Sequence, residues 1–406
     1  MFNFPQDFND REPRNANGRP QPRNIQPLLP YPIETPTGIT GSFQLNDGGG
    51  GFTSSGFNIQ TTTSLNTSLS NNSLLNNSGT NNFAAGLDSL RYNTSGSANV
   101  AVGRCALRSN TTGNTNVAIG QFALRANTSA CNNVAIGNQP LICNTTGTTN
   151  VGIGQLNLCA NTTGSNNVAI GSISLCCNTT GCQNIAIGLQ ALRYNSTGQL
   201  NVAFGTNTLR NNQTGQHNFA VGLSSMCLNT TGNCNIAIGR DSLCIATASS
   251  INVAIGLNAM RSSTGGNNNV AIGNCSLYTN GGGCNVAVGF NSLRCNTTGN
   301  FNISLGYNSL RCNTTGTNNI SLGRNAFCIN TTGGYNVGLG FNVQTGGFTG
   351  SVILGSGATA TGNCQFVIGS NTFPLGPISA SSSITNTHLM DVRINGCSFK
   401  ILLYQE

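Results

Sequence analysis

The stretch that decides the fold is Asn167-Val168-Ala169-Ile170-Gly171-Ser172-Ile173-Ser174-Leu175-Cys176-Cys177-Asn178-Thr179-Thr180-Gly181-Cys182-Gln183, after which Asn184-Ile185-Ala186-Ile187-Gly188 begins the same phrase again. Outward in both directions, eighteen glycines from Gly86 to Gly369 end such an apolar phrase. Their step is 17 residues as far as Gly273, then 16, 17, 17, 17, 15 and 14. A fixed short period marks a repeat architecture, whose units bury their apolar faces against their neighbours. Val168 and Ile170 sit two apart and share one face of a strand, leaving Ala169 to the other. Leu175, four residues after its glycine, adds a second apolar contact, and Leu107, Leu192, Leu209, Leu293 and Leu310 hold the same phase. Asn-Thr-Thr-Gly is turn chemistry, because Asn tolerates left-handed geometry and Gly supplies positive φ. A 17-residue unit is too short for a helix pair and suits a coil of two short strands and two bends. The expected fold is all-β: a parallel β-solenoid whose coils, stacked about 4.8 Å apart, make a rod on the order of 85 Å.

Composition agrees with a rod and excludes ordinary globular classes. Charged residues make up 6% of the 406, there are 53 glycines and no Trp, against roughly 25% charged in typical proteins. Such a surplus of polar and small residues ordinarily reads as disorder, but disorder needs no apolar triplet in fixed register. The net charge is +8, and between Asp88 and Asp391 the sole acidic residue is Asp241, while eleven arginines lie from Arg91 to Arg324. A basic surface attracts polyanions; sparse arginines without aromatic interleaving are a poor sign of nucleic acid, and none is expected. No run of 18 apolar residues occurs, so no membrane-spanning helix is expected. Met1-Phe2-Asn3-Phe4-Pro5-Gln6-Asp7 lacks the basic start and apolar core of a secretory signal.

Four segments follow. Residues 1–36 hold eight of the eleven prolines together with Arg11, Arg14, Arg19 and Arg23, and read as an extended anchoring arm. Residues 37–80, with Gly48-Gly49-Gly50-Gly51, read as a flexible neck passing into degenerate first coils around Leu65, Leu69 and Leu74. Residues 81–370 are the repeat rod, interrupted by Pro140 alone. In 371–406, Asp391–Ile394 and Cys397–Ile401 flank Asn395-Gly396, a strong hairpin signal. That tail is expected to cap the last coil, since an open solenoid end invites edge pairing.

Equal phases become neighbours in space, and this selects the candidate residues. The residue four before each glycine is Asn in sixteen successive coils, from Asn82 to Asn336; Asn116, Asn133, Asn150, Asn167 and Asn184 are among them. Stacked amides can bond along the axis as a ladder. Of the 17 cysteines, Cys159 with Cys176 and Cys295 with Cys312 are the best-placed disulfide pairs; the plainer reading is a small apolar filler. Arg91, Arg108 and Arg125, Arg193 with Arg210, and Arg294 with Arg311 form rows that could grip sulfate, sialate or phosphate groups, or simply keep the rod soluble. The sequons at Asn144, Asn161, Asn178 and Asn313 would set sugars along one edge if glycosylated, although turn propensity alone explains them. No metal site or cofactor is expected, since Cys-x-x-Cys spacings are absent and there are two histidines. With Asp241 and His217 alone between Asp88 and the tail, no catalytic pair or triad is expected either.

The repeated Asn-x-Val-Ala-Ile-Gly unit resembles the head repeats of YadA-like trimeric autotransporter adhesins, over Asn82 to about Gly369. The resemblance implies a left-handed parallel β-roll from each of three chains, packed about a threefold axis. Those repeats usually run 14–15 residues, which the last two steps here match. The longer form with Leu and Asn-Thr-Thr-Gly is similar to repeats in fibre proteins of phages and large DNA viruses. The implied function is a homotrimeric fibre on a virion surface, held to capsid or other virion proteins by residues 1–36 and mediating attachment to a host surface glycan or protein. The alternatives are a purely structural coat or fibril component and, less in keeping with the sequence, an ice- or crystal-binding solenoid using the Thr-Thr rows.

Overall fold

The computed structural model describes residues 65–70, 72–75 and 77–372, together with the backbone of two strands, His388–Ile394 and Cys397–Leu403. The expected arm at 1–36 and the Asn395-Gly396 turn lie outside the described residues. Among the described residues there is no helix. One parallel sheet of 19 strands dominates. Each coil contributes one three-residue strand that pairs, phase for phase, with the next: Val168 faces Ile185, Ala169 faces Ala186 and Ile170 faces Ile187. The shorter steps keep this register, pairing Val270 with Val286, Val337 with Val352 and Val352 with Phe366. Pairing begins at Thr67–Ser68 against Phe83–Ala84, so coiled structure reaches into the expected neck.

The coil differs from expectation in holding one strand where two were anticipated. The second side carries left-handed residues, with Ile173 at φ 60 and Leu175 at φ 48, and a strand cannot form through them. Hydrogen bonding between coils continues regardless: Leu175 N–H donates to Ala191 O at 3.0 Å and Cys177 N–H to Arg193 O at 2.9 Å. A short second pairing occurs where Ser262–Ser263 meets Thr279–Asn280, and an isolated parallel bridge joins Gln344 to Thr359.

Burial decides which strand face looks inward. Ala169 and its equivalents are fully buried, as is the Leu175 row opposite them, while Val168 and Ile170 point outward and are half-buried. The interior of the coil is thus an alanine row against a leucine row, too narrow for two large residues at one level. Substitutions inside it are matched accordingly. Phe327 takes the leucine position, and the facing residue is Gly338, where an added Cβ would lie 2.6 Å from a Phe327 ring carbon. Buried Asn157 is likewise met by Gly152, where a Cβ would lie 2.6 Å from its Oδ1. The glycine after each strand is needed for another reason. Gly171 has φ 122, and a Cβ there would sit 2.7 Å from the Gly188 carbonyl oxygen of the next coil.

Two asparagine ladders run along the interior. In the first, Asn167 Nδ2 donates to Asn150 Oδ1 at 3.1 Å and to Gly181 O at 2.9 Å, and its Oδ1 accepts the Asn184 N–H at 3.0 Å. The pattern recurs between Asn82 and Asn336. The second ladder uses the Asn of Asn-Thr-Thr-Gly: Asn178 Nδ2 donates to Asn161 Oδ1 at 2.7 Å and to the same Gly181 O at 2.9 Å. Both ladders therefore converge on one buried carbonyl per coil. The second breaks where Ala246 replaces Asn, and there Asn229 Oδ1 is left buried without a donor. The tail strands pair antiparallel with Ile394 opposite Cys397, the hairpin register read from the sequence.

Candidate functional site

The fifth residue after each glycine forms a column on an edge where Arg91, Arg108, Arg125, Arg193, Arg210, Arg294 and Arg311 stand at one phase. Like charges one coil apart should repel, and within the column a carboxylate relieves this where Arg91 pairs with Asp88 at 2.9 Å; Arg240, which stands one residue after its glycine and outside the column, pairs with Asp241 at 3.4 Å. Elsewhere aromatic faces do so, which corrects the expectation of arginines without aromatic interleaving. Tyr92 lies between Arg91 and Arg108, each guanidinium 5.4 Å from the ring centre. Tyr194 lies between Arg193 at 4.8 Å and Arg210 at 5.8 Å, and Phe122 is shared by Arg125 of the column and by Arg104, which stands one residue after its glycine. Arg294 sits over Tyr278; on a second column, one residue after each glycine, Arg324 lies over both Tyr307 and Phe341. Each such contact contributes about 0.5–1 kcal/mol at an exposed site. The guanidinium planes held this way present cations to anionic groups while their Nε atoms at Arg108, Arg193 and Arg210 are buried and unpaired.

Cysteines interrupt this column. Cys159 and Cys176 bring their Sγ atoms to 2.7 Å. Cys227 and Cys244 stand one coil apart at the same phase, with Leu228 N–H donating to Cys244 O at 2.9 Å. The anticipated pair Cys295 and Cys312 shares a phase one coil apart, and Cys295 N–H donates to Arg311 O at 3.1 Å.

No family model, curated protein or solved structure matches this chain. Its chemistry is therefore read from its own residues. The sequons are turned inward, which favours the turn reading of them over a row of sugars. Asn144, Asn161, Asn178 and Asn313 are fully buried, and the Nδ2 that would carry a glycan donates instead within the second ladder. The neighbouring threonines are engaged too: Thr145 Oγ1 donates to Thr162 O at 3.0 Å. The remaining surface of note is the outward face of the sheet. Ile119, Ile153, Ile236, Ile272 and Leu339 are 37–52% exposed along it. The sequence carries no signal for which strand face looks out, whereas aligning the coils one beneath another brings the arginines to their aromatic partners.

Proposed function

We propose that this chain is the subunit of a homotrimeric fibre on a virion surface, anchored through residues 1–36 and mediating attachment to a host surface. The outward Val/Ile face carries the reading. Soluble monomers rarely expose contiguous apolar patches beyond a few hundred Å², and here such a face recurs coil after coil. Each coil's own interior is a narrow alanine–leucine seam, so chains that pack these faces together share the larger core that one coil lacks. The adhesin-type repeat supports three copies about one axis. The arginine–aromatic edge remains free in that arrangement for sulfate, sialate or phosphate groups of a host glycan. The C-terminal hairpin is assigned as the cap of the last coil.

A purely structural coat or fibril component is the second reading, favoured by the arginines' existing partners on Tyr92 and Tyr194. Ice binding fits less well, because the first threonine hydroxyl of each turn already serves the next coil. Sedimentation equilibrium tests the trimer: three times 41.9 kDa is expected, and a monodisperse monomer refutes it. Surface labelling of intact particles tests the location, and host-cell binding by the purified protein separates attachment from a structural role.

A further inference from the structure

Along the arginine column the cysteines do not fall at random. Cys159 and Cys176 are followed by Arg193 and Arg210, and Cys227 and Cys244 by Arg261. Within each pair the residues occupy equal phase in consecutive coils, about 4.8 Å apart, inside the Cα range a disulfide spans. Register is fixed on both sides by the main chain, with Ala160 N–H donating to Cys176 O and Leu228 N–H to Cys244 O, each at 2.9 Å. In the first pair the thiols already touch. All four side chains are part-exposed, so a small reagent can reach them.

We propose that Cys159–Cys176 and Cys227–Cys244 are axial disulfide sites that clip consecutive coils together, closed by exchange with a low-molecular-weight disulfide. The Cys227 thiolate attacks one sulfur of the small disulfide, whose S–S bond breaks and releases one thiolate, which takes up a proton. Cys244 then loses its proton to solvent and attacks the Cys227 sulfur of the mixed disulfide, expelling the second small thiolate, which is protonated in turn. Two protein thiols are oxidised and one small disulfide is reduced to two thiols.

The polarity of attack follows from the surroundings. The Cys244 thiol donating to Cys227, helped by Arg210 and opposed by burial and Asp241, draws Cys227 down to about 7. Cys244 is pushed upward by its donation to Cys227 and by burial, and so stays a thiol. The first pair has the same polarity, with Cys159 lowered by Cys176 and Cys176 raised in return. The earlier cysteine of each pair is therefore the attacking group. These clips join coils of one chain, so they are independent of whether chains trimerise.

The test uses the reduced full-length protein, held folded at pH 7 with oxidised glutathione, then alkylated and cut with trypsin. Cleavage after Arg210, Arg240 and Arg261 places Cys227 in peptide 211–240 and Cys244 in peptide 241–261. A reducible link between these two peptides is expected, retained in Cys234→Ser and lost in Cys227→Ser. Cys159→Ser should consume two fewer thiols than the parent. Iodoacetamide labelling of Cys227 should rise with a midpoint near pH 7. Absence of the linked peptides from folded, oxidised protein, or their persistence in Cys227→Ser, overturns the proposal.

Discussion

Replacing Asn167 by Ala removes four side-chain hydrogen bonds, and the structure says how unequal they are. Asn150 Oδ1 keeps the Asn167 N–H at 3.0 Å, Gly181 O keeps Asn178 Nδ2 at 2.9 Å, and Asn184 Nδ2 keeps Gly198 O at 2.9 Å. Those three losses are at the lower end of a hydrogen bond's net contribution, about 0.5 kcal/mol each. The Asn184 N–H is different, because Asn167 Oδ1 is its acceptor and the site is fully buried. An orphaned buried donor costs about 2 kcal/mol, bringing the expected destabilisation to roughly 3–4 kcal/mol. A loss of this size accelerates opening-limited hydrogen exchange by roughly 10²- to 10³-fold. Suitable reporters are the Val168 and Ile185 amides, whose own bonds to Asn184 O and Asn201 O, both 2.8 Å, are untouched by the substitution. Exchange at these two amides within about threefold of the parent would refute the view that the ladder holds the coils together. Asn167→Asp is the sharper control. It keeps the acceptor but points an anion at Gly181 O and Asn150 Oδ1, which raises its pKa in the folded state. With the folded value above the unfolded one, stability is retained at low pH and lost as pH rises through the folded pKa. This variant should therefore regain stability on acidification, and the Ala variant should not.

Other outcomes follow from the same geometry. Leu175→Ala opens a cavity in the seam and should cost about 3 kcal/mol by denaturant titration. Gly171→Ala combines φ 122 with a Cβ 2.7 Å from Gly188 O and should reduce soluble yield and thermal midpoint more than Leu175→Ala. Tyr194→Ala takes the shared ring from between Arg193 and Arg210; about 1 kcal/mol should be lost at low ionic strength and less in 1 M salt, measured by melting at both. Folded protein secreted from a glycosylating host should show no glycan at Asn144, Asn161, Asn178 or Asn313 by intact mass, since their amides are buried.

Much of this was legible because repetition converts sequence distance into spatial adjacency. The spacing from Asn150 to Asn167 to Asn184 predicts a ladder, and the bonds are there. The same reasoning applied to Asn161 and Asn178 would have disclosed the second ladder, but turn propensity already accounted for those residues and masked it. Alternation in Val168-Ala169-Ile170 shows that two faces exist without saying which is inner. Interior width decides that, and width depends on the opposing leucine row. The missing second strand had no signal either: Leu175 is an ordinary residue for a strand, and its left-handed φ goes with a bend that leaves its side chain buried in the seam. Tyr194 stands beside Arg193 in sequence, yet its second partner, Arg210, is found only by setting one coil under the next.

Strand pairing stays in step even where a coil is one, two or three residues short, because the slack is taken up away from the strand. Every level thus offers its successor the same docking edge, whatever happens in its bends. Duplication or loss of one whole phrase at the gene would lengthen or shorten the column by a single storey and leave all other storeys undisturbed, whereas a frame slip inside Val168-Ala169-Ile170 would turn alanine outward and isoleucine into the seam. Such a chain can vary its reach in discrete increments without having to reinvent its interior.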